Sequence, residues 1–131
     1  MISTKEKAKP SSDYLAVEDM IDKAIGLATE NNITVVVKGA PTVTVSPAGT
    51  LYVNTTGNPG MATGGSGDVL TGMVLGLLAQ GYTHDEAAFI AVYMHGLAGD
   101  IAARRLSMTA MTSADIADSL PAAWLQMTET L

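Results

Sequence analysis

The chain has 131 residues, of which 47% are hydrophobic, with no cysteine and a formal net charge of −6. This length fits one domain with a real core, and the lack of cysteine excludes disulfides, cysteine nucleophiles and zinc ribbons. The acidic balance argues against general nucleic-acid binding, which needs basic surface to neutralise phosphates. No apolar run reaches the about 18 residues of a transmembrane helix, and the opening Met1–Lys7 is too polar for a secretory signal. We therefore expect a cytoplasmic protein without a membrane span.

The first half of the chain predicts one helix and three short strands. Residues 1–13 are polar and are interpreted as an irregular lead-in. Apolar residues then recur at helical spacing from about residue 16 to 30. The β-branched run Ile33–Val37 predicts a strand buried on both faces. Residues 42–46 and 50–54 read as two strands of a hairpin that turns at Pro47-Ala48-Gly49.

The second half predicts helices that follow a glycine-rich loop. Gly57–Gly67 contains five glycines, and an apolar helix is expected over residues 69–80. A Thr-x-x-Glu capping box at Thr83 predicts a longer helix that ends at about Leu106. A final helix begins near Ser113, and Pro121 should kink or split it. Strands followed by helices predict a layered α/β or α+β domain, with a sheet thin enough to belong to something larger.

Charge placement gives the first indication of a site. Between Asn31 and His84 the only charged side chains are Lys38 and Asp68. Lys38 directly follows the predicted buried strand, and Asp68 stands where the loop meets the apolar helix. A lone cation and a lone anion in so apolar a stretch indicate function, with a structural ion pair or a helix cap as the alternatives.

The glycine-rich loop is the second indication. Its glycines let backbone N–H groups approach a ligand, and a helix that begins directly after them adds a positive dipole end. This combination suits a phosphate, with Asp68 placed to accept a proton from an attacking hydroxyl. The alternative is a plain glycine turn with Asp68 as helix cap. The segment fits neither the Walker A loop, since no lysine follows Gly65, nor the nucleophile elbow or the dinucleotide fingerprint.

Three other features are interpreted as structural. His95 lies beside the apolar stripe of the long helix, so we expect a packed or partly exposed histidine there and not a catalytic one. His84 should face solvent in the capping turn. Gly72 and Gly76 form a G-x-x-x-G pattern, which in this setting indicates close helix packing.

Three motifs in order resemble the ADP/ATP-dependent NAD(P)H-hydrate dehydratases. They are Val37-Lys38-Gly39-Ala40-Pro41-Thr42, then Asn58-Pro59-Gly60-Met61-Ala62-Thr63-Gly64-Gly65-Ser66-Gly67-Asp68-Val69-Leu70-Thr71-Gly72, then His95-Gly96-Leu97-Ala98-Gly99-Asp100. The resemblance covers roughly residues 16–125. It implies a ribokinase-like three-layer α/β/α fold, and a lyase that repairs hydrated NADH or NADPH at the expense of a nucleotide phosphoryl group.

The resemblance also implies roles for individual residues. The nucleotide (ADP or ATP) would be bound by Lys38, Gly39, Ala40, Pro41, Thr42, Asn58, Gly64, Gly65, Ser66 and Gly67. The amides around Gly65–Gly67 would form an anion hole, and Mg²⁺ would bridge the phosphates without a dedicated protein metal site. Asp68 would contact the NAD(P)H-hydrate and activate its hydroxyl as the catalytic residue. A sugar- or vitamin-type kinase of the same superfamily and a non-catalytic nucleotide-binding remnant are the alternatives.

Family domains are about twice as long as this chain, so residues 14–131 are interpreted as a C-terminal half, which comes from a truncated gene, from a fragment, or from a protein that another chain completes. The part missing here would supply the first strands of the sheet and much of the hydrated-nicotinamide pocket. A buried-type strand such as Ile33–Val37 would then lie at an exposed edge. We therefore expect a homo-oligomer or a partner chain that supplies the missing half.

Overall fold

The structure is a computed structural model that describes residues 12–129. Its elements run in the order α1 (Ser12–Asn31), β1 (Val35–Val37), β2 (Val43–Val45), β3 (Leu51–Val53), a single 3₁₀ turn (Pro59–Met61), α2 (Ser66–Ala79), α3 (His84–Leu106), α4 (Ser113–Asp118) and α5 (Leu120–Glu129). Of the predicted lead-in, residues 1–11 lie outside the described part. The first helix begins about one turn earlier than its apolar periodicity suggested. No helix within residues 12–129 is both long and apolar enough to cross a membrane.

The three strands form one antiparallel sheet in the order β1-β2-β3. The predicted hairpin between β2 and β3 is confirmed, and Gly49 turns it with a φ of 83° that suits glycine. Side chains alternate along the strands: Val43 and Val45 face α1 in one cluster, whereas Val36 packs with residues of α2 and α3 in another. Helices therefore cover both faces of the sheet, which gives the predicted three layers.

The prediction of a doubly buried strand at Ile33–Val37 is only partly right. The strand is shorter, Val35–Val37, and its three residues are half-buried. Ile33 precedes it and is 41% exposed. The cause is that β1 pairs with β2 on one side and has no strand on its other side among residues 12–129. A strand at a sheet edge keeps a row of free backbone groups.

The helices are delimited by local signals. Thr83 caps α3 in a reciprocal capping box with Glu86, as predicted. The predicted last helix is split, because α4 ends before Ser119 and α5 starts at Leu120 with Pro121 in its first turn, where proline costs no hydrogen bond. The main core lies between α3, α4 and α5, around the fully buried Met94 and Ile116.

The G-x-x-x-G prediction in α2 is wrong for the described chain. A β-carbon at Gly72 or Gly76 would meet nothing within 4 Å, so neither glycine packs against another helix. Both are exposed, as are Leu75 (66%) and Ala79. These four residues follow helical i, i+3, i+4, i+7 spacing, so α2 presents an apolar stripe without a partner among residues 12–129.

Candidate functional site

The glycine loop ends at the first turn of α2. Gly65 is the N-cap residue in a left-handed conformation (φ 88°), and α2 starts at Ser66, three residues before the predicted start. Ser66 N donates to Thr63 O (3.3 Å) and Val69 N donates to Gly65 O (3.1 Å). The amides between them, those of Gly67 and Asp68, are first-turn donors that a helix cannot satisfy internally. A helix end with free amides and a positive dipole favours a bound anion.

Lys38 brings a positive charge to this helix end. It follows the last residue of β1 directly, and its Nζ lies so close to Gly67 that a β-carbon there would overlap the ammonium group. Lys38 makes no salt bridge within residues 12–129, where the recorded ion pair joins Lys23 and Asp19 at 2.8 Å. An ammonium without a counter-ion beside free backbone amides is an arrangement that attracts phosphate.

The segment after Lys38 is folded back by local hydrogen bonds. Thr42 Oγ1 donates to Gly39 O (3.0 Å), and Thr42 O accepts from Asn54 N (2.9 Å) at the start of β2. The Ala40–Pro41 peptide bond is cis. The turn therefore lies beside the end of the β2–β3 hairpin, on the same side of the molecule as the glycine loop.

These pieces enclose a cleft of about 810 Å³. Its walls combine most of the residues predicted for the nucleotide, namely Lys38, Gly39, Ala40, Pro41, Thr42, Asn58, Ser66 and Gly67. Three of the predicted residues are not in its lining: Gly64, Gly65 and Asp68, all of which are exposed. Gly65 has its own role, because a β-carbon there would lie 2.7 Å from Ser113 Oγ. The cleft thus gathers the two sequence-distant motifs, residues 38–42 and the glycine loop, in one place.

Both structural alternatives for Lys38 and Asp68 fail in the described chain. The two side chains form no salt bridge with each other. Asp68 is not the cap of α2, because Gly65 takes that position and α2 has no side-chain capping bond. Asp68 lies instead in the first turn, exposed to solvent, next to Gly67 and outside the cleft lining. Its carboxylate is exposed to solvent, one residue along the chain from the cleft lining.

His95 is packed, as predicted, but it is also part of the cleft wall. Its Nε2 lies 3.0 Å from Ser66 O and 3.3 Å from Ser66 Oγ, and the residue is 9% exposed. A carbonyl only accepts, so Nε2 carries the proton. Burial lowers the pKa of His95 below 6.5, the bond to the Ser66 carbonyl opposes this, and nearby Lys38 lowers the pKa further. The imidazole is neutral at pH 7 and ties α3 to the first turn of α2.

Sequence reasoning gave no functional role to residues 54–56, which lie between β3 and the glycine-rich loop and form another part of the cleft wall. Asn54 Nδ2 donates to Thr56 O (3.0 Å), and Thr56 Oγ1 donates to Tyr93 O on α3 (2.8 Å). Thr55, Thr56 and Gly57 all line the cleft. Uncharged threonines after a strand carry no signal in sequence, because the same pattern occurs in ordinary loops.

A second cavity, of about 470 Å³, lies against β3. Its lining is mainly apolar and aromatic and includes Tyr52 and Phe89, whose rings stack with centroids 4.8 Å apart. It contains no charged side chain. An anionic ligand therefore fits the cleft at Lys38 and not this cavity.

Comparison with known sequences identifies the family of the chain. A model of the NAD(P)H-hydrate dehydratase family matches residues 11–122. The chain is 49% identical over 104 residues to a bifunctional NAD(P)H-hydrate repair enzyme of Moorella thermoacetica, covering 79% of this chain and 20% of that protein. It is 52% identical over 68 residues to an ADP-dependent (S)-NAD(P)H-hydrate dehydratase of Neisseria meningitidis, covering 52% of this chain and 23% of that one.

Comparison with solved structures gives the same family. An ADP/ATP-dependent NAD(P)H-hydrate dehydratase from Bacillus subtilis, co-crystallised with ATP and Mg²⁺, superimposes with a TM-score of 0.78 at 32% identity. The match covers 87% of this chain and 41% of that chain. The three-layer arrangement is thus a portion of the ribokinase-like fold. The chain spans about two fifths of this structural relative and about a fifth of the Moorella enzyme.

Proposed function

Because this chain belongs to the NAD(P)H-hydrate dehydratase family, we propose that its cleft binds the adenine nucleotide that drives the dehydration of hydrated NADH or NADPH. The observation that carries the proposal is the contact of Lys38 Nζ with Gly67 at the start of α2. The ammonium and the free amides of Gly67 and Asp68 provide positive charge and hydrogen-bond donors for a phosphate chain. The rest of the turn, residues 39–42, also lines the cleft and is proposed to hold the nucleoside.

Magnesium would accompany the nucleotide. No carboxylate lines the cleft, and residues 12–129 contain no group of three His, Asp or Glu that could hold a metal. The side chains present fit Mg²⁺ only as an ion held by the phosphates, which is how proteins commonly bind it. Bound there, it would neutralise phosphate charge during transfer.

The proposed role of Asp68 is that of the general base. The hydroxyl on the hydrated nicotinamide ring attacks the terminal phosphorus of the nucleotide, its proton passes to the Asp68 carboxylate, and the bond to the departing nucleotide breaks. Loss of the phosphate from the ring carbon, with loss of a proton from its neighbour, then restores the double bond. Asp68 is exposed and next to Gly67, which suits a substrate approaching from outside the cleft.

The substrate side of the site is proposed to come from a polypeptide that supplies the rest of the domain. Three features support this: the free edge of β1, the uncovered stripe Gly72, Leu75, Gly76 and Ala79 on α2, and the partial coverage of every reported relative.

The proposed contact between the stripe and such a polypeptide can be tested by co-expressing the chain with the preceding part of the Moorella domain. Leu75→Asp should abolish co-purification, whereas Leu125→Asp, at a similarly exposed position (60%) on α5, should not. Sedimentation of the chain alone then decides whether a second copy occupies this face instead.

The function is tested by incubating the chain, with and without the complementary part, with hydrated NADH, Mg²⁺ and ADP or ATP. Recovery of the nicotinamide absorbance that depends on nucleotide and is lost in Asp68→Asn supports the dehydratase. Tight nucleotide binding without recovery in either sample would support a non-catalytic remnant. Nucleotide consumption driven by a sugar and not by hydrated NADH would support a kinase. The cytoplasmic location remains a prediction.

A further inference from the structure

One carboxylate of α3 fixes the corner of the loop that forms the cleft wall. Asp100 Oδ2 accepts a hydrogen bond from Gly57 N (3.0 Å), and its Oδ1 accepts one from Asn58 Nδ2 (2.8 Å). The other side-chain atom of Asn58, Oδ1, accepts from Gly60 N (3.0 Å) and caps the 3₁₀ turn. The two side chains thus form a continuous chain of hydrogen bonds from α3 through the loop.

Two glycines on the same face of α3 let the loop reach that carboxylate. A β-carbon at Gly96 would overlap Thr56 Oγ1 and lie 2.8 Å from the Thr56 carbonyl carbon. A β-carbon at Gly99 would overlap the side chain of Met61, with Cγ and Cε both at 2.7 Å. Gly96 stands one helical turn before Asp100. Helix α3 therefore combines close approach by two glycines with fixation by one carboxylate.

Within the described part of the chain, the carboxylate of Asp100 forms its recorded hydrogen bonds with the loop. Within residues 12–129 it takes part in no salt bridge, and its two oxygens are occupied by the Gly57 amide and the Asn58 amide group. Hydrogen bonds to an ionised acceptor are shorter and stronger than those between neutral groups. Gly57, Asn58 and Met61 all line the cleft, so a displaced corner changes the shape of its wall.

We propose that Asp100 is a positioning residue for the nucleotide cleft, acting through the Gly57–Asn58 corner and without contact to the ligand. The proposal rests on the proposed function, since it takes the cleft as the nucleotide site. Asp100 is the last residue of the third motif, and its proposed role is to hold the start of the glycine-rich loop in place. The expected effect of losing Asp100 is weaker nucleotide binding in a chain that is still folded.

The hydrogen-bond pattern allows a specific rescue. In Asp100→Asn the new side chain has one oxygen that accepts a hydrogen bond and one NH₂ group that does not. The two donors, Gly57 N and Asn58 Nδ2, still face it, so one hydrogen bond is lost. In Asn58→Asp two carboxylates face each other, which is repulsive. In the double variant Asn58→Asp/Asp100→Asn all three bonds return: the amide at position 100 donates to the carboxylate at position 58, its oxygen accepts from Gly57 N, and the carboxylate still accepts from Gly60 N. The formal charge equals that of the unmodified chain.

The experiment measures ADP affinity by calorimetry and amide hydrogen exchange at Gly57 in the three variants and the parent chain. Asp100→Asn should weaken ADP binding about tenfold or more and speed exchange at Gly57, and the double variant should recover the exchange rate at Gly57. ADP affinity is compared between Asp100→Asn and the parent chain, because Asn58→Asp adds a negative charge to the cleft wall. Asp118→Asn, which removes the same charge from an exposed site on α4, should change neither. Unchanged exchange at Gly57 in Asp100→Asn would overturn the proposal, as would unchanged ADP affinity in that variant or fast exchange at Gly57 that persists in the double variant.

Failure of the proposed function gives a different result. If the parent chain binds no ADP while Gly57 exchange follows the pattern of loss and rescue, the corner exists but the cleft is not the nucleotide site. This outcome contradicts the positioning role as stated. If the parent chain binds ADP and Asp100→Asn binds it equally well, the cleft is the site and Asp100 is not needed for it.

Discussion

The ammonium group of Lys38 lies against the backbone of Gly67, in the space that a β-carbon at that position would fill. This contact joins two segments that are 29 residues apart in sequence (67 − 38), a turn after β1 and the first turn of α2. The contact explains why position 67 is a glycine. Gly67 has an ordinary helical backbone conformation, so a positive φ is not the reason. The contact also places the single cation of the cleft beside the free amides.

Replacing Lys38 should weaken nucleotide binding without unfolding the chain. Lys38→Ala removes a charged donor from the phosphate site, and such a hydrogen bond contributes about 1.5–3 kcal/mol, or roughly tenfold to a hundredfold in affinity. Lys38 is exposed and has no salt bridge in the described chain, so the free energy of unfolding should change little. Calorimetric titration with ADP and Mg²⁺ measures the effect. Lys23→Ala, on the exposed face of α1, is the control and should bind ADP normally.

Gly67→Ala should separate binding from stability. Gly67 lies in the first turn of α2, where alanine is at least as compatible with a helix as glycine, and the clash is with the end of a flexible lysine side chain, so the fold should tolerate the change. The displaced ammonium should lower ADP affinity several-fold. Gly76→Ala in the same helix has open space around it and should keep the affinity while raising stability by about 0.5–1 kcal/mol. Equal ADP affinity in the two variants would contradict the assigned contact.

Stability should fall as the pH drops below about 6.5 because of His95. Burial lowers the pKa of His95 in the folded chain below the 6.5 of an unfolded one, so the unfolded state takes up the proton first. The stabilisation is complete above 6.5 and is lost progressively down to the lowered folded pKa. Urea unfolding at about pH 8 and about pH 5.5 measures it. His95→Gln keeps a donor for Ser66 O and should show a smaller loss between these two values; an equal loss would locate the effect elsewhere.

Gly60 should be far more sensitive to substitution than Gly64, although both lie in the same loop. A β-carbon at Gly60 would lie 2.7 Å from Met108 O and 2.8 Å from Met111 Sδ, whereas one at Gly64 would meet nothing within 4 Å. Gly60→Ala should therefore cost about 1–3 kcal/mol through overpacking, and Gly64→Ala should be nearly neutral. Thermal unfolding of the two variants compares them, and similar melting temperatures would contradict the packing described here.

Periodic and capping patterns predicted most of the fold. The β2–β3 hairpin and the Thr83 capping box were found where local sequence indicated them, since both depend on neighbouring residues only. The start of α2 was missed because Ser66 and Gly67 resemble loop residues, whereas the left-handed Gly65 is what starts the helix. The packing prediction for Gly72 and Gly76 was wrong, since it assumed a partner helix that the described chain does not contain.

The individual residues of the site could be predicted from the sequence, but the contacts between them could not. Lys38 and Asp68 stood out as isolated charges, and the structure places Lys38 in the cleft wall and Asp68 next to Gly67, exposed and outside the lining. Asp100 is hydrogen-bonded to Gly57 and Asn58, which precede it by 43 and 42 positions in the sequence. A contact over this distance cannot be predicted from a periodic pattern. The sequence did contain one signal for these contacts. Gly96, Gly99 and Asp100 are spaced to lie on one face of α3, which indicates that another segment of the chain approaches this face closely.

The nucleotide is proposed to bind between the turn at residues 38–42 and the start of α2. Titration of the isotope-labelled chain with ADP and Mg²⁺, followed by amide NMR shifts, tests it most directly. The largest changes should fall on residues 38–42 and 54–68, with the Gly67 and Asp68 amides among them. Changes centred instead on Leu51, Tyr52 and Phe89 would place the ligand in the second cavity, and an absence of changes at saturating ADP would contradict nucleotide binding by this chain.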